Sequence, residues 1–392
     1  MKHVYHTKIE SIQFLRALAV ALVVYTHIMD TPLSNNSVQK NYMFLENWGA
    51  IGLDLFYIIS GFIMTIVTPS YIQSGNWKDF IRKRIVRVIP LYWVLSMLSL
   101  SLSTIKGTAL HAEKIWKTIL FLPVSGNEFI FPVIPVGWSL SLEVYFYILI
   151  AILIKTAGKN IFHYLVGILL LLALAGNFSN PQNHVLKFLF SPLLIEFAFG
   201  IMAGLIFKQI TSENTPASLK TKICAILLTT GGFALMACSI FTDCLAISEA
   251  ALVSENSRLA FLRVLVWGVP CMFFLTGFVL LEQLFNFKIP RLFSKLGDSS
   301  YSCYLIHTLL LIPLSMKIFS YSGINNSDLF IIFTLIFTLG GSVVFYNFFE
   351  RKLNNILSKA FQAKRITSQI FKTELKGGFF IKKIVSIFRN AS

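Results

Sequence analysis

Charge is what this chain has least of. Of its 392 residues only 13% are Asp, Glu, Lys or Arg, against 55% hydrophobic, and no polar segment is long enough to enclose a core of its own. That balance excludes a soluble globular domain of this size. Acidic residues are the scarcer sign, 18 against 34 basic, for a net charge of +16. In a soluble protein such an excess would point to nucleic acid. In a hydrophobic chain Lys and Arg mark cytoplasmic loops instead, so no nucleic-acid partner is expected. Cysteine is sparse too. Cys224, Cys238, Cys244, Cys271 and Cys303 show no CxxC or Cys/His spacing, and most lie in apolar runs as small hydrophobes, so no metal is expected. Walker loops, GxGxxG after a strand, HExxH and GxSxG are all missing, which leaves hydrolase, nucleotide-cofactor and metalloprotease readings without support. The first apolar run is too long for a signal peptide and no A-x-A-like site follows it, so it reads as an uncleaved span.

What the chain has is long apolar runs. Windows of about 17–22 residues give ten candidate membrane spans. They cover approximately residues 12–30, 49–68, 87–104, 137–154, 161–177, 186–207, 221–241, 260–281, 299–319 and 329–349. The expected fold class is an all-α integral membrane protein with about ten transmembrane helices, residues 1–350 forming one multi-helix domain. An even number of spans puts both termini on one side. With the N-terminus in the cytoplasm, cytoplasmic segments carry about 25 Lys/Arg and external ones about 8, so both termini are expected to be cytoplasmic. Residues 351–392 hold ten Lys/Arg and one acid, and read as a basic cytoplasmic tail with an amphipathic helix lying on the anionic inner leaflet. The external connection around 105–136 is Pro-rich and apolar, and reads as a re-entrant segment or a lid.

Against that background a few polar residues stand out. The first run, IQFLRALAVALVVYTHIM, contains Arg16 and His27. An Arg at mid-membrane costs roughly 2.5–3.5 kcal/mol, so ionisable groups there are functional by default. The two residues are eleven apart. On a helix that is three turns plus about 20°, so both face one way, about 16 Å apart along the axis. Asp54 in GAIGLDLFYIISGFIM and Glu143 in GWSLSLEVYFYIL enter their spans from the same side and at similar depth, so topology places them in one layer with His27. A His with carboxylates suits a general base and its orienting partner; the bland alternative is a structural cluster joining helices. FIRKRIVRVIPLYW carries Arg84 and Arg87 on one helix face, on the side where Arg16 ends. Guanidinium forks suit phosphates, although positive-inside anchoring explains such a cluster equally well. In LGDSSYSCYLIHTLLL, Asp298 and the serines read as helix caps. His307 and Tyr301 there, with Asp30 after the first span, are further candidates. Glu350 closes the last span, where an ion pair with a basic loop residue is the simple expectation.

Taken in order, these five segments resemble the acyltransferase-3 family of integral membrane acyltransferases, over about residues 9 to 352. The resemblance implies an O-acyltransferase in the bacterial inner membrane. It would take an acetyl or similar acyl group from cytoplasmic acetyl-CoA and place it on a hydroxyl of an exported or cell-surface glycan or lipid-linked saccharide. Arg16 and His27 match the family's span-1 pair, Arg84 and Arg87 its RxxR element on the CoA side, and Glu143 the first acid of its span-4 motif. Many members carry a second Glu there, where this chain has Val144. The end of the last span often reads Glu-Arg-Pro, where this chain has Glu350, Arg351 and Lys352. With that layout His27 is the expected general base, Asp54 or Glu143 the group that orients or charge-balances it, and Arg16, Arg84 and Arg87 the expected contacts to the acyl-CoA. No hydrolase-like periplasmic domain follows the last span, so a separate partner is expected to supply any outer transfer domain. A transporter of protons or a small substrate is the competing class; the lack of repeats and of broken helices weakens it.

Overall fold

The computed structural model describes residues 9–31, 48–105, 107, 112–122, 132–179, 181–212, 217–241, 247–248, 253, 255–324 and 326–360. All regular structure among them is helical. Ten helical segments are long and apolar enough to cross a bilayer, and they coincide with the ten runs read from the sequence. Spans 1 to 5 are Glu10–Met29, Trp48–Ser74, Trp77–Ile105, Pro135–Thr156 and Ile161–Ser179. Spans 6 to 10 are His184–Ser212, Leu219–Phe241, Ser257–Phe285, Ser300–Tyr321 and Ser327–Ala360. The basic segment before Pro90 is not a loop: it forms the first turns of span 3, and Pro90 sits inside a continuous helix. The last helix runs past Glu350 to Ala360. The rest of the tail, and residues 123–131 of the connection read as a lid, lie outside the described residues.

Span 2 is the axis of the molecule. Its apolar window is 72% buried, whereas those of spans 7 and 10 are 22% buried and face outward on most sides. Span 2 crosses span 6 with backbones almost touching. A Cβ on Gly61 would overlap the carbonyl of Phe197, and one on Gly200 the carbonyl of Ile58. Only glycine at both positions permits that approach.

Span 1 is pinned at its start. The backbone N–H groups of Glu10 and Ser11 donate to the two carboxylate oxygens of Glu282, at 2.9 and 2.8 Å. A carboxylate there satisfies orphan donors and complements the positive helix end. The short helix Arg291–Asp298 packs along the same turn, where Gly297 meets the Gln13 backbone and the Phe293 ring lies 5.0 Å from that of Phe14. These contacts fix the rotation of span 1, and with it the directions of Arg16 and His27.

Spans 8, 9 and 10 each contain a π-bulge: Val264–Gly268, His307–Leu311 and Tyr346–Glu350. In spans 8 and 9 a proline follows closely, Pro270 and Pro313, and its missing N–H loosens the ladder at that point. Such bulges re-aim side chains and recur at functional sites. Here Arg263, His307 and Glu350 all sit on their edges.

Candidate functional site

Two chambers lie end to end between the helices, and Leu53 and Tyr304 line both. The first, of about 80 Å³, is lined by Arg16, Ser60, Arg87, Glu143, Tyr147 and Tyr301 among others. Its two half-buried guanidiniums come from opposite sides, spans 1 and 3. The charges around Arg16 are Arg87, Glu350, Asp298 and Glu143. Glu143 is held by hydroxyls: Ser60 donates to it at 2.9 Å and Tyr147, one turn on, at 2.5 Å. Tyr301 donates to the Val88 carbonyl at 2.6 Å, tying span 9 to span 3. Arg84 lies one turn before Arg87, outside the chamber lining, with its guanidinium 5.8 Å from the ring centres of Phe80 and Tyr147. Its Nε and Nη1 are buried and have no hydrogen-bond partner among the described residues. Glu350 accepts from Ser302, and from Asn354 at 3.5 Å. It makes no ion pair with a loop among the described residues; the cations near it are Arg87 and Arg16. Ser299 occupies the cap position of span 9's first turn but donates to the Leu296 carbonyl instead of capping.

The second chamber, of about 260 Å³, is lined by Thr26, His27, Asp30, Trp138, Arg263 and Tyr304 among others. His27 Nδ1 lies 3.2 Å from Asp30 Oδ2. A carboxylate only accepts, so Nδ1 carries the hydrogen and the Nε2 lone pair is left as a base. The His27 ring stacks on that of His307, with centroids 5.1 Å apart and planes 23° off parallel. Between the chambers the Tyr304 hydroxyl lies 2.6 Å from Ser139 Oγ, and both oxygens lie within hydrogen-bond reach of the Val136 carbonyl, at 2.9 and 3.1 Å.

Two expected neighbours of His27 are elsewhere. Glu143 lies a level away, with Arg16 and Arg87. Asp54 is fully buried on another face of span 2, where it forms a two-pronged ion pair with Arg263, at 2.9 and 2.7 Å. Depth along a span follows from helical rise, but rotation about the axis does not, and span 2 is apolar on all sides. The carboxylate beside His27 is therefore Asp30, one turn further along the same helix.

Arg263 was not singled out by the sequence reading. It also donates to the carbonyls of Ile247 and Ala50, both at 3.0 Å, and its guanidinium lies 4.7 Å from the Trp267 ring centre. Glu196 of span 6 joins the cluster. It is fully buried, and its charged neighbours are Asp54 and Arg263. The signal for both was available: each is an ionisable residue inside an apolar run, in LLIEFAFG and AFLRVLVWG.

A stack of chambers holding ionisable side chains inside a ten-span helical membrane protein is a site for chemistry or passage within the bilayer, and the comparisons with known proteins decide between them. The acyltransferase domain family matches residues 9–347, and the chain belongs to it: this is a multi-pass membrane acyltransferase. Among curated proteins it is 28% identical to the exopolysaccharide production protein ExoZ of Rhizobium meliloti, over 66% of this chain and 76% of that one. It is 24% identical to nodulation protein 10 of Rhizobium leguminosarum bv. viciae, over 50% of this chain and 60% of that one. It is 28% identical to YrhL of Bacillus subtilis, named as a candidate peptidoglycan O-acetyltransferase, over 37% of this chain and 23% of that one. No solved structure matches.

Proposed function

We propose that this acyltransferase moves an acetyl or similar acyl group from cytoplasmic acyl-CoA to a hydroxyl of an exported or cell-surface glycan, at the outer face of a bacterial inner membrane. Exopolysaccharide, lipopolysaccharide and peptidoglycan are the acceptor classes in view. The names of two relatives, one concerned with exopolysaccharide and one with peptidoglycan O-acetylation, support a polysaccharide acceptor. The observation that carries the reading is the pair of abutting chambers: guanidiniums in one, a His–carboxylate dyad in the other, and a shared wall of Leu53 and Tyr304.

The chemistry follows from that order. Acyl-CoA is polyanionic through its phosphates, and planar guanidiniums bind phosphate bidentately. Arg16 and Arg87, with Arg84 one turn before Arg87 on span 3, form the anion-binding end. The first chamber is narrow and suits a thin chain. The second approaches the lower range of ligand pockets, about 300 Å³, and suits part of a sugar. A sugar hydroxyl is a poor nucleophile until a base takes its proton. His27 Nε2 takes it, the hydroxyl oxygen bonds to the thioester carbonyl carbon, and the carbon–sulfur bond breaks. The proton held by His27 then passes to the departing thiolate, so the dyad returns to its starting state. Asp30 keeps His27 in the tautomer this requires and balances the imidazolium.

The test is the acyl content of purified surface polysaccharide, read by NMR, in cells with the wild-type protein, with His27→Ala, and without the protein. Ester signals present with the wild type and lost in the other two are expected. Acylation that persists with His27→Ala would overturn the assignment of His27. Uptake of a labelled solute by vesicles holding no acyl donor would instead favour transport.

A further inference from the structure

His307 is a buried polar side chain beside the dyad that the acyl-transfer steps leave unused. It is fully buried, and its Nδ1 donates to the Cys303 carbonyl at 3.1 Å. That bond fixes the tautomer and puts the second lone pair on Nε2, which has no hydrogen-bond partner among the described residues. An unpartnered acceptor in a dry interior costs free energy, and such groups call for an explanation. Among the described residues no carboxylate contacts the ring, so none there would balance a second proton. The ring lies at the edge of the π-bulge His307–Leu311, which turns it toward span 1, and its face covers the face of His27.

We propose that His307 is a positioning residue for His27: an uncharged ring whose face holds the His27 imidazole in line with Asp30 and stabilises its protonated form. The edge of His27 is steered by Asp30 and its face by His307, so both rotations of the ring are fixed before an acceptor arrives. When His27 takes a proton, the cation forms against a π-face, an attractive arrangement. Among the described residues lining this chamber, the other charged or titratable groups are Arg263 of span 8 and the Tyr304 hydroxyl of span 9, with Asp30 on the same helix as His27. Arg263 is already paired with Asp54, so its charge is largely balanced. The Tyr304 hydroxyl is engaged with Ser139 and Val136. Asp30 and the His307 face are then the groups that set how readily His27 holds its proton.

This role rests on the acyl-transfer reading for its purpose, but its test does not. The full chain is labelled with [¹³Cε1]histidine in detergent micelles without substrate, and the His27 signal is assigned with His27→Asn. Its titration midpoint is followed in the wild type, His307→Leu and His307→Phe, with His307→Met as a second ring-less variant if His307→Leu does not fold. Removing the face lowers the midpoint by about half a pH unit, whereas His307→Phe, which keeps a face, holds it near the wild-type value. An unmoved midpoint in the ring-less variant, or equal shifts in both, overturns the positioning role. Acyl transfer is measured on the same samples. The expected shifts in a protein that transfers no acyl group would sink the functional reading and leave the role of His307 standing.

Discussion

At the scale of single residues, the sequence exposes groups by their cost and hides their partners. His27 and Arg16 were legible because an ionisable group in an apolar run is expensive. Asp30 lies just beyond that run, half in solvent, where an acid carries no such signal; its importance comes from the 3.2 Å contact with His27. Two outcomes follow. Asp30→Asn replaces an obligate acceptor with a group that accepts either tautomer. We expect it to lower kcat about ten- to a hundredfold with little change in KM for the acceptor, within the range of general-base contributions. His27→Ala removes the base itself and costs more, about 10²–10⁴-fold. In the first chamber, Arg16→Ala and Arg87→Ala each remove a guanidinium from the anion-binding end. Charge-assisted bonds of about 1.5–3 kcal/mol translate into a roughly ten- to hundredfold rise in KM for acyl-CoA, read by steady-state kinetics in membranes.

At the scale of elements, all ten spans were readable from apolar length, because a bilayer imposes that length whatever the packing. Rotation was not readable. Span 2 is apolar all round, so nothing in its pattern tells which face Asp54 presents, and depth alone grouped it with His27. The structure turns Asp54 to span 8, where Arg263 supplies the buried counter-charge. Breaking a buried pair from one side strands the other charge, so Asp54→Asn is expected to cost about 3–5 kcal/mol of stability. The loss should appear as a lowered midpoint in thermal unfolding followed by Trp fluorescence. The double variant Asp54→Asn with Arg263→Gln should recover part of it, because the guanidinium stranded by Asp54→Asn is removed as well. Gly200 gives a steric counterpart. Any Cβ there meets the Ile58 carbonyl, so Gly200→Val separates spans 2 and 6 and lowers the yield of folded protein, seen as a loss of the monodisperse peak on size exclusion.

At the scale of the whole molecule, the chambers give the reaction a direction only once the membrane's two sides are assigned. Lys/Arg asymmetry between alternate connections argues for both termini in the cytoplasm, and that choice puts the Arg16–Arg87 chamber nearer the compartment where acyl-CoA resides. The same choice turns the Asp30 end of span 1, with its half-exposed dyad, toward the side where an exported glycan is met. Charge bias and chemistry meet in Arg87, which counts toward the bias and lines the guanidinium chamber, and both point the same way. Their agreement can be checked without any assay of activity. Lys288 is exposed between spans 8 and 9, and Ser322 is exposed between spans 9 and 10. In a background without native cysteines, Ser322→Cys in intact spheroplasts should react with a membrane-impermeant maleimide, and Lys288→Cys should react only after the membrane is opened. The reverse pattern would put the guanidinium chamber toward the outside, and donor entry from the cytoplasm through that chamber would then fail.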